Sequence, residues 1–136
     1  MKKGIVIIFD KNDINISENQ RLKSYFNKDF KICLVNNGNH VKLFNFLYKI
    51  KENSKCQVSI LNLKKEKKFD LALKAGVRFL FNNENFSLIL HIKPNNIFNK
   101  KLMSKIVKIS EDDLVDKINE RVMLRKVYAL NEIVNC

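Results

Sequence analysis

The chain starts with an uninterrupted apolar run, Gly4-Ile5-Val6-Ile7-Ile8-Phe9, which breaks at the polar stretch Asp10-Lys11-Asn12-Asp13. A continuous β-branched run suits a strand covered on both faces of a parallel sheet, because a half-exposed strand would alternate apolar and polar positions. Parallel strands need crossover helices. Ser17 is placed to cap one that extends to Asn27, in which Leu22, Tyr25 and Phe26 recur at helical spacing. Phe30-Lys31-Ile32-Cys33-Leu34-Val35 predicts a second strand, closed by Asn36-Asn37-Gly38-Asn39, whose residue types favour a turn.

Val41, Phe44, Leu47, Tyr48 and Ile50 mark an amphipathic helix ending near Glu52, and a third strand is expected from Gln57 to about Leu61. Phe69, Leu71, Ala72, Ala75, Gly76 and Phe79 belong to a third helix, with Gly76 allowing close contact with the sheet. A fourth strand spans 86–91. This alternation predicts an α/β fold, a mostly parallel sheet of about four strands with right-handed crossover helices. Beyond Pro94 the pattern is mixed until Ser110-Glu111-Asp112-Asp113, which has the form of a capping box. Leu114, Ile118, Val122, Leu130 and Val134 then form one stripe, predicting a long C-terminal helix. The chain accordingly divides into an α/β domain over 1–109 and a helix over 110–136, packed on that domain or on a partner.

With 136 residues, 46% of them hydrophobic and ten of them Phe, the chain supports one ordinary core and has no room for a second domain. The 26 Lys and Arg against 14 Asp and Glu give a formal charge of +12, a field that attracts phosphate on nucleotides, nucleic acid or anionic lipid without choosing among them. Cys33, Cys56 and Cys136 share no metal-ligand spacing, and an odd number cannot pair completely, so reduced thiols are expected. The first apolar run is too short for a secretory leader or a membrane span. A cytoplasmic protein without a membrane span is the expectation.

In open parallel sheets ligands bind beyond the carboxyl ends of the strands, which directs attention to the loops at 10–13, 36–39, 63–68 and 91–96. These segments, taken in order, resemble the family-two glycosyltransferases of the GT-A nucleotide-sugar fold. Ile7-Ile8-Phe9-Asp10-Lys11-Asn12-Asp13 matches the family's first strand and its Pro-x-Tyr-Asn-like turn, with Asn12 in the Asn position and the Pro and Tyr gone. Val35-Asn36-Asn37-Gly38-Asn39 matches Val-Asp-Asp-Gly-Ser, with the glycine kept and both acids changed to amides. Ala72-Leu73-Lys74-Ala75-Gly76 resembles Ala-Arg-Asn-x-Gly, with Lys74 standing for Asn. The family's metal-holding Asp-x-Asp is replaced by His91-Ile92-Lys93.

The resemblance covers 4–96 and implies a degenerate relative that keeps nucleotide or nucleotide-sugar binding and lacks metal-dependent transfer. The nucleotide-binding candidates are Asp10, Asn12, Asn36, Asn37, Lys74 and Lys93. Amides at 36 and 37 keep an acceptor oxygen and add donors, so a base or ribose can still be hydrogen-bonded there. At the last motif, His and Lys remove the hard oxygen ligands that Mg or Mn requires, and Lys93 repels a cation. Lys65, Lys67, Lys68 and Lys74 could neutralise a diphosphate without metal. No catalytic residue, metal ligand or cofactor is nominated; His91 at the end of a buried strand is more often a packing residue than a general base. The three glycines, Gly4, Gly38 and Gly76, lie too far apart for a dinucleotide or phosphate loop.

Two other functions compete with this expectation. One is a basic nucleic-acid module using Phe26, Phe30, Phe44, Phe46 and Tyr48 as stacking platforms, although these occupy core-like positions. The other is a protein that dimerises, or binds a protein partner, through the C-terminal helix.

Overall fold

The structure is a computed structural model that describes residues 3–18, 30–54, 56–82, 86, 88–95 and 127–129. Five strands, β1 (Lys3–Phe9), β2 (Phe30–Asn37), β3 (Gln57–Leu63), β4 (Leu88–Ile92) and β5 (Val127–Ala129), form one sheet in the order β3-β2-β1-β4-β5. Every neighbouring pair is parallel. Two helices, α1 (Val41–Asn53) and α2 (Phe69–Phe81), and a 3₁₀ helix (Lys11–Glu18) accompany the strands.

The continuous apolar character of β1 has the cause expected of it, since all seven of its residues are buried. Alternate side chains point to opposite faces and enter two separate cores. Ile5, Ile7 and Phe9 join Ile32, Leu34, Leu90 and Ile92 beneath Leu43, Phe46, Leu47 and Ile50 of α1. Val6 and Ile8 join Cys33, Val35 and Ile89 beneath Ala72, Leu73, Val77 and Leu80 of α2. Full burial of one such aliphatic side chain stabilises by about 1.5–3 kcal/mol, so both layers contribute strongly to the fold. The crossover from β2 to β3 moves outward along the sheet and that from β3 to β4 moves back over β2 and β1. With right-handed crossovers, this reversal puts α1 and α2 on opposite faces.

Gly76 is the point of closest approach between helix and sheet. A Cβ there would sit 2.7 Å from Cγ1 of Val6 and 3.1 Å from Cγ2 of Val35, so α2 lies directly on β1 and β2.

At the C-terminal end the structure departs from the sequence reading. Val127–Ala129, expected inside a helix running from about 110 to 134, is a strand whose residues pair with Ile89, Leu90 and His91 of β4. Val127 and Tyr128 are residue types that suit a strand, and the edge of β4 offers a ladder to pair with. The rest of the expected helix lies outside the described residues. The helix expected over 17–27 is likewise outside them, apart from Ser17 and Glu18, which end the 3₁₀ helix. Among the described residues no helix is long and apolar enough to cross a membrane.

Candidate functional site

The strand order makes a topological switch between β1 and β4, because the chain builds outward through β2 and β3 before returning to the other side of β1. At such a switch the loops leaving the two central strands diverge to opposite faces and open a crevice at the carboxyl edge. Asp10 follows β1 and Lys93 follows β4, so these two candidates flank it. The register Ile7↔Ile92 leaves β1 projecting two residues beyond the end of β4.

The turn after β1 is held by a reciprocal pair of aspartates. Oδ1 of Asp10 accepts the Asn12 amide at 2.8 Å, while the Asp10 amide donates to Oδ2 of Asp13 at 2.8 Å. The Asp13 amide closes the turn onto the Asp10 carbonyl at 2.9 Å. This is the geometry of a helix cap, and it serves the 3₁₀ helix. Burial raises the pKa of Asp13; the bond from the Asp10 amide opposes this, and the Asp10 carboxylate adds to it. The side chain of Asn12 stays exposed at the crest.

Asn36 and Asn37 lie at the end of β2 and face opposite layers. Asn36, 0% exposed, accepts from the His40 amide at 3.1 Å and donates to the His40 carbonyl and to Oδ1 of Asn62, both at 3.0 Å. It thereby fixes the left-handed turn at Gly38 (φ 100°) and Asn39 (φ 54°) that leads into α1. Asn37, 4% exposed, donates to the Lys67 carbonyl and accepts from the Lys67 amide, both at 2.9 Å. Each amide uses donor and acceptor together, which a carboxylate cannot do. The hydrogen-bonding groups expected to meet a base or ribose thus hold the chain's own loops.

The clamp on Lys67 positions the loop 64–68, in which Lys64, Lys65, Lys67 and Lys68 are exposed. Gly38 adds a backbone bond to the Leu63 carbonyl at 3.0 Å. Immediately after the loop, the ring of Phe69 meets that of His91 on β4 edge-on, with centroids 5.5 Å apart. Lys74 lies five residues into α2, and a rise of about 1.5 Å per residue puts it roughly 7.5 Å below Phe69, half-buried and short of the crest. Asp10, Asn12, Lys93 and the loop lysines thus all follow strands at the carboxyl edge. Asn36 and Asn37 support it from beneath, and Lys74 stands apart.

The described residues at the end of β4 do not fit a divalent cation. His91 packs against Phe69, Ile92 is buried and Lys93 is exposed. Among the described residues no group of three or more His, Cys, Asp or Glu could hold a metal ion. Of the aromatics considered for nucleic-acid stacking, Phe30 and Phe46 belong to the core, while Phe44 and Tyr48 stack on each other on the outer side of α1. Phe26 lies outside the described residues.

The sequence reading missed the clamp from Asn37 to Lys67 and the contact of Phe69 with His91. The first had a signal in the amide pair closing a strand before a turn, and the second had none. No family model, curated protein or solved structure matches the chain.

Proposed function

We propose that the chain is a small glycosyltransferase-like domain that binds a nucleotide or nucleotide-sugar in the crevice between the ends of β1 and β4, without metal-dependent transfer. The observation that supports this reading is the strand order, which reverses between β1 and β4, where open parallel sheets bind ligands. In the proposal Asn12 offers a donor and an acceptor to the base or sugar, and Lys93 faces the phosphates. Asn36, Asn37 and Asp10 shape the rim, and Lys74 adds to the field from α2.

Titration of uridine and guanosine diphosphates and of their sugar conjugates, in chelator and then in excess Mn, tests the reading. Saturable binding that survives chelation is expected, with no sugar transfer or hydrolysis in either condition. Absence of binding by every nucleotide removes the reading, as does turnover that appears when Mn is added.

A further inference from the structure

The loop 64–68 is more than a connection between β3 and α2. Asn37, at the end of β2, grips both backbone polar groups of Lys67, and two residues later Phe69 rests on His91 of β4. Strands two places apart in a sheet are about 10 Å from each other, and two extended residues cover about 7 Å. With the reach of the Asn37 and Phe69 side chains added, the segment 67–69 crosses β1, the strand between, on the face that α2 covers, and the Phe69 ring reaches down to His91, the register partner of Val6. Gly76 against Val6 and Val35, two turns further down, keeps α2 on the same line. The loop is therefore a strap beside the switch point, on the face that α2 covers, fastened on the β2 side and braced on the β4 side.

Its charge is one-sided. Residues 64–70 carry four lysines against Glu66 and Asp70, and all of them are exposed. Lys93, also exposed, follows β4 at the same edge of the sheet. A backbone held by a buried amide carries its lysines at defined places, which lowers the entropy lost when they close on an anion. At the end of β4, the described residues His91, Ile92 and Lys93 offer no carboxylate to a metal.

We infer that this strap, with Lys67 and Lys68 nearest the crevice, is the phosphate-neutralising element of the site and takes the diphosphate of a nucleotide directly, in place of a divalent cation. The inference rests on the crevice being the ligand site. Lysine suits the task as a mobile point charge with three donors, and a diphosphate offers oxygens to more than one of them. The specificity for phosphate then comes from the strap, and that for the base or sugar from the crest of β1.

The test uses the full chain in chelator and three probes: inorganic pyrophosphate, uridine and uridine diphosphate. The variant Lys67→Gln/Lys68→Gln is compared with Lys49→Gln/Lys51→Gln, which removes the same charge from exposed positions on α1. Loss of a charged hydrogen-bonding partner predicts about tenfold or more weaker binding of pyrophosphate and uridine diphosphate to the strap variant, with uridine unchanged. The α1 variant should change either by less than about twofold, as a screened surface charge does. Equal losses in the two variants, or a requirement for Mg or Mn, overturn the strap while leaving nucleotide binding standing. A long single-stranded RNA is titrated alongside these probes, and binding tighter than that of the diphosphate, with a steep salt dependence, overturns the strap in favour of a polymer-binding role. Failure of all three probes removes the crevice itself.

Discussion

At Asn37 one amide holds the backbone of a lysine-rich loop at Lys67. Its two bonds to Lys67 are part-buried, so Asn37→Ala leaves the N–H and C=O of Lys67 without those partners, at up to about 1–3 kcal/mol each. Asn37→Asp keeps the acceptor for the Lys67 amide and loses the donor to its carbonyl. Both variants are expected to lower the urea midpoint, with Asp the milder of the two in acid, where protonation restores a donor. The amide pair closing β2 marked a turn in the sequence, but not whether its side chains meet a ligand or hold a loop, because both roles are spelled the same way.

Asp13 and Cys33 give two further residue-level outcomes. Burial lifts the folded pKa of Asp13 above its ordinary 3.8, so its contribution to stability is present below that value and is lost as the pH rises through the raised one. Asp13→Asn keeps an acceptor for the Asp10 amide and removes the charge. Urea midpoints of the variant should fall less than those of the parent as the pH rises from about 3.8 toward neutrality. A variant curve that parallels the parent would refute the assignment. Burial also pushes the Cys33 thiol up to about 12, and that of Cys56 to about 11. The thiolate is the reactive form, so site-resolved alkylation at neutral pH should modify Cys33 only after denaturant is added.

At the scale of elements, the packing of α2 is decided at one position. Alanine at Gly76 gains about 1 kcal/mol of helix propensity, but its methyl group would meet the stiff side chains of Val6 and Val35. Overpacking of that kind costs about 1–3 kcal/mol, so Gly76→Ala should destabilise on balance. Val6→Ala makes room and should recover part of the loss in the double variant, giving a coupling measurable by denaturant melts. Additive effects would mean that helix and sheet are not in contact there.

The same elements show what the amino-acid pattern can carry. β1, β2, α1 and α2 were legible because burial on two faces, or on one helical stripe, writes its period directly into the chain. β2 and β3 run two residues further than their apolar runs, to Asn37 and Leu63, because ladder pairing of Asn36 with Asn62 continues past the hydrophobic cover. β5 was not legible. Val127–Ala129 became a strand through the free edge of β4, a partner far away in sequence whose presence no local period records. The switch point could be foreseen only as a property of parallel sheets in general, since strand order is fixed by tertiary pairing.

For the molecule as a whole, the net charge of +12 acts in two opposite directions, and salt separates them. Self-repulsion among like charges destabilises the compact state and is screened within about 10 Å at 0.1 M salt, so sodium chloride should raise the melting temperature modestly. Anion attraction is screened by the same ions, so the affinity for a diphosphate should fall over the same range. A diffuse field and a built site can then be told apart at constant ionic strength. If the charge is only a solvated surface, replacing chloride with pyrophosphate at matched ionic strength changes little beyond general anion effects. If the strap forms a site, pyrophosphate binds the folded state and adds RT ln(1 + [L]/Kd), about 2.7 kcal/mol at a hundredfold excess over Kd. The expected result is a melting temperature that rises with pyrophosphate beyond the matched chloride control, and an excess that disappears in Lys67→Gln/Lys68→Gln but persists in Lys49→Gln/Lys51→Gln. A shift of equal size in both variants would assign the effect to the whole surface, and the loop at 64–68 would then be an ordinary solvated turn.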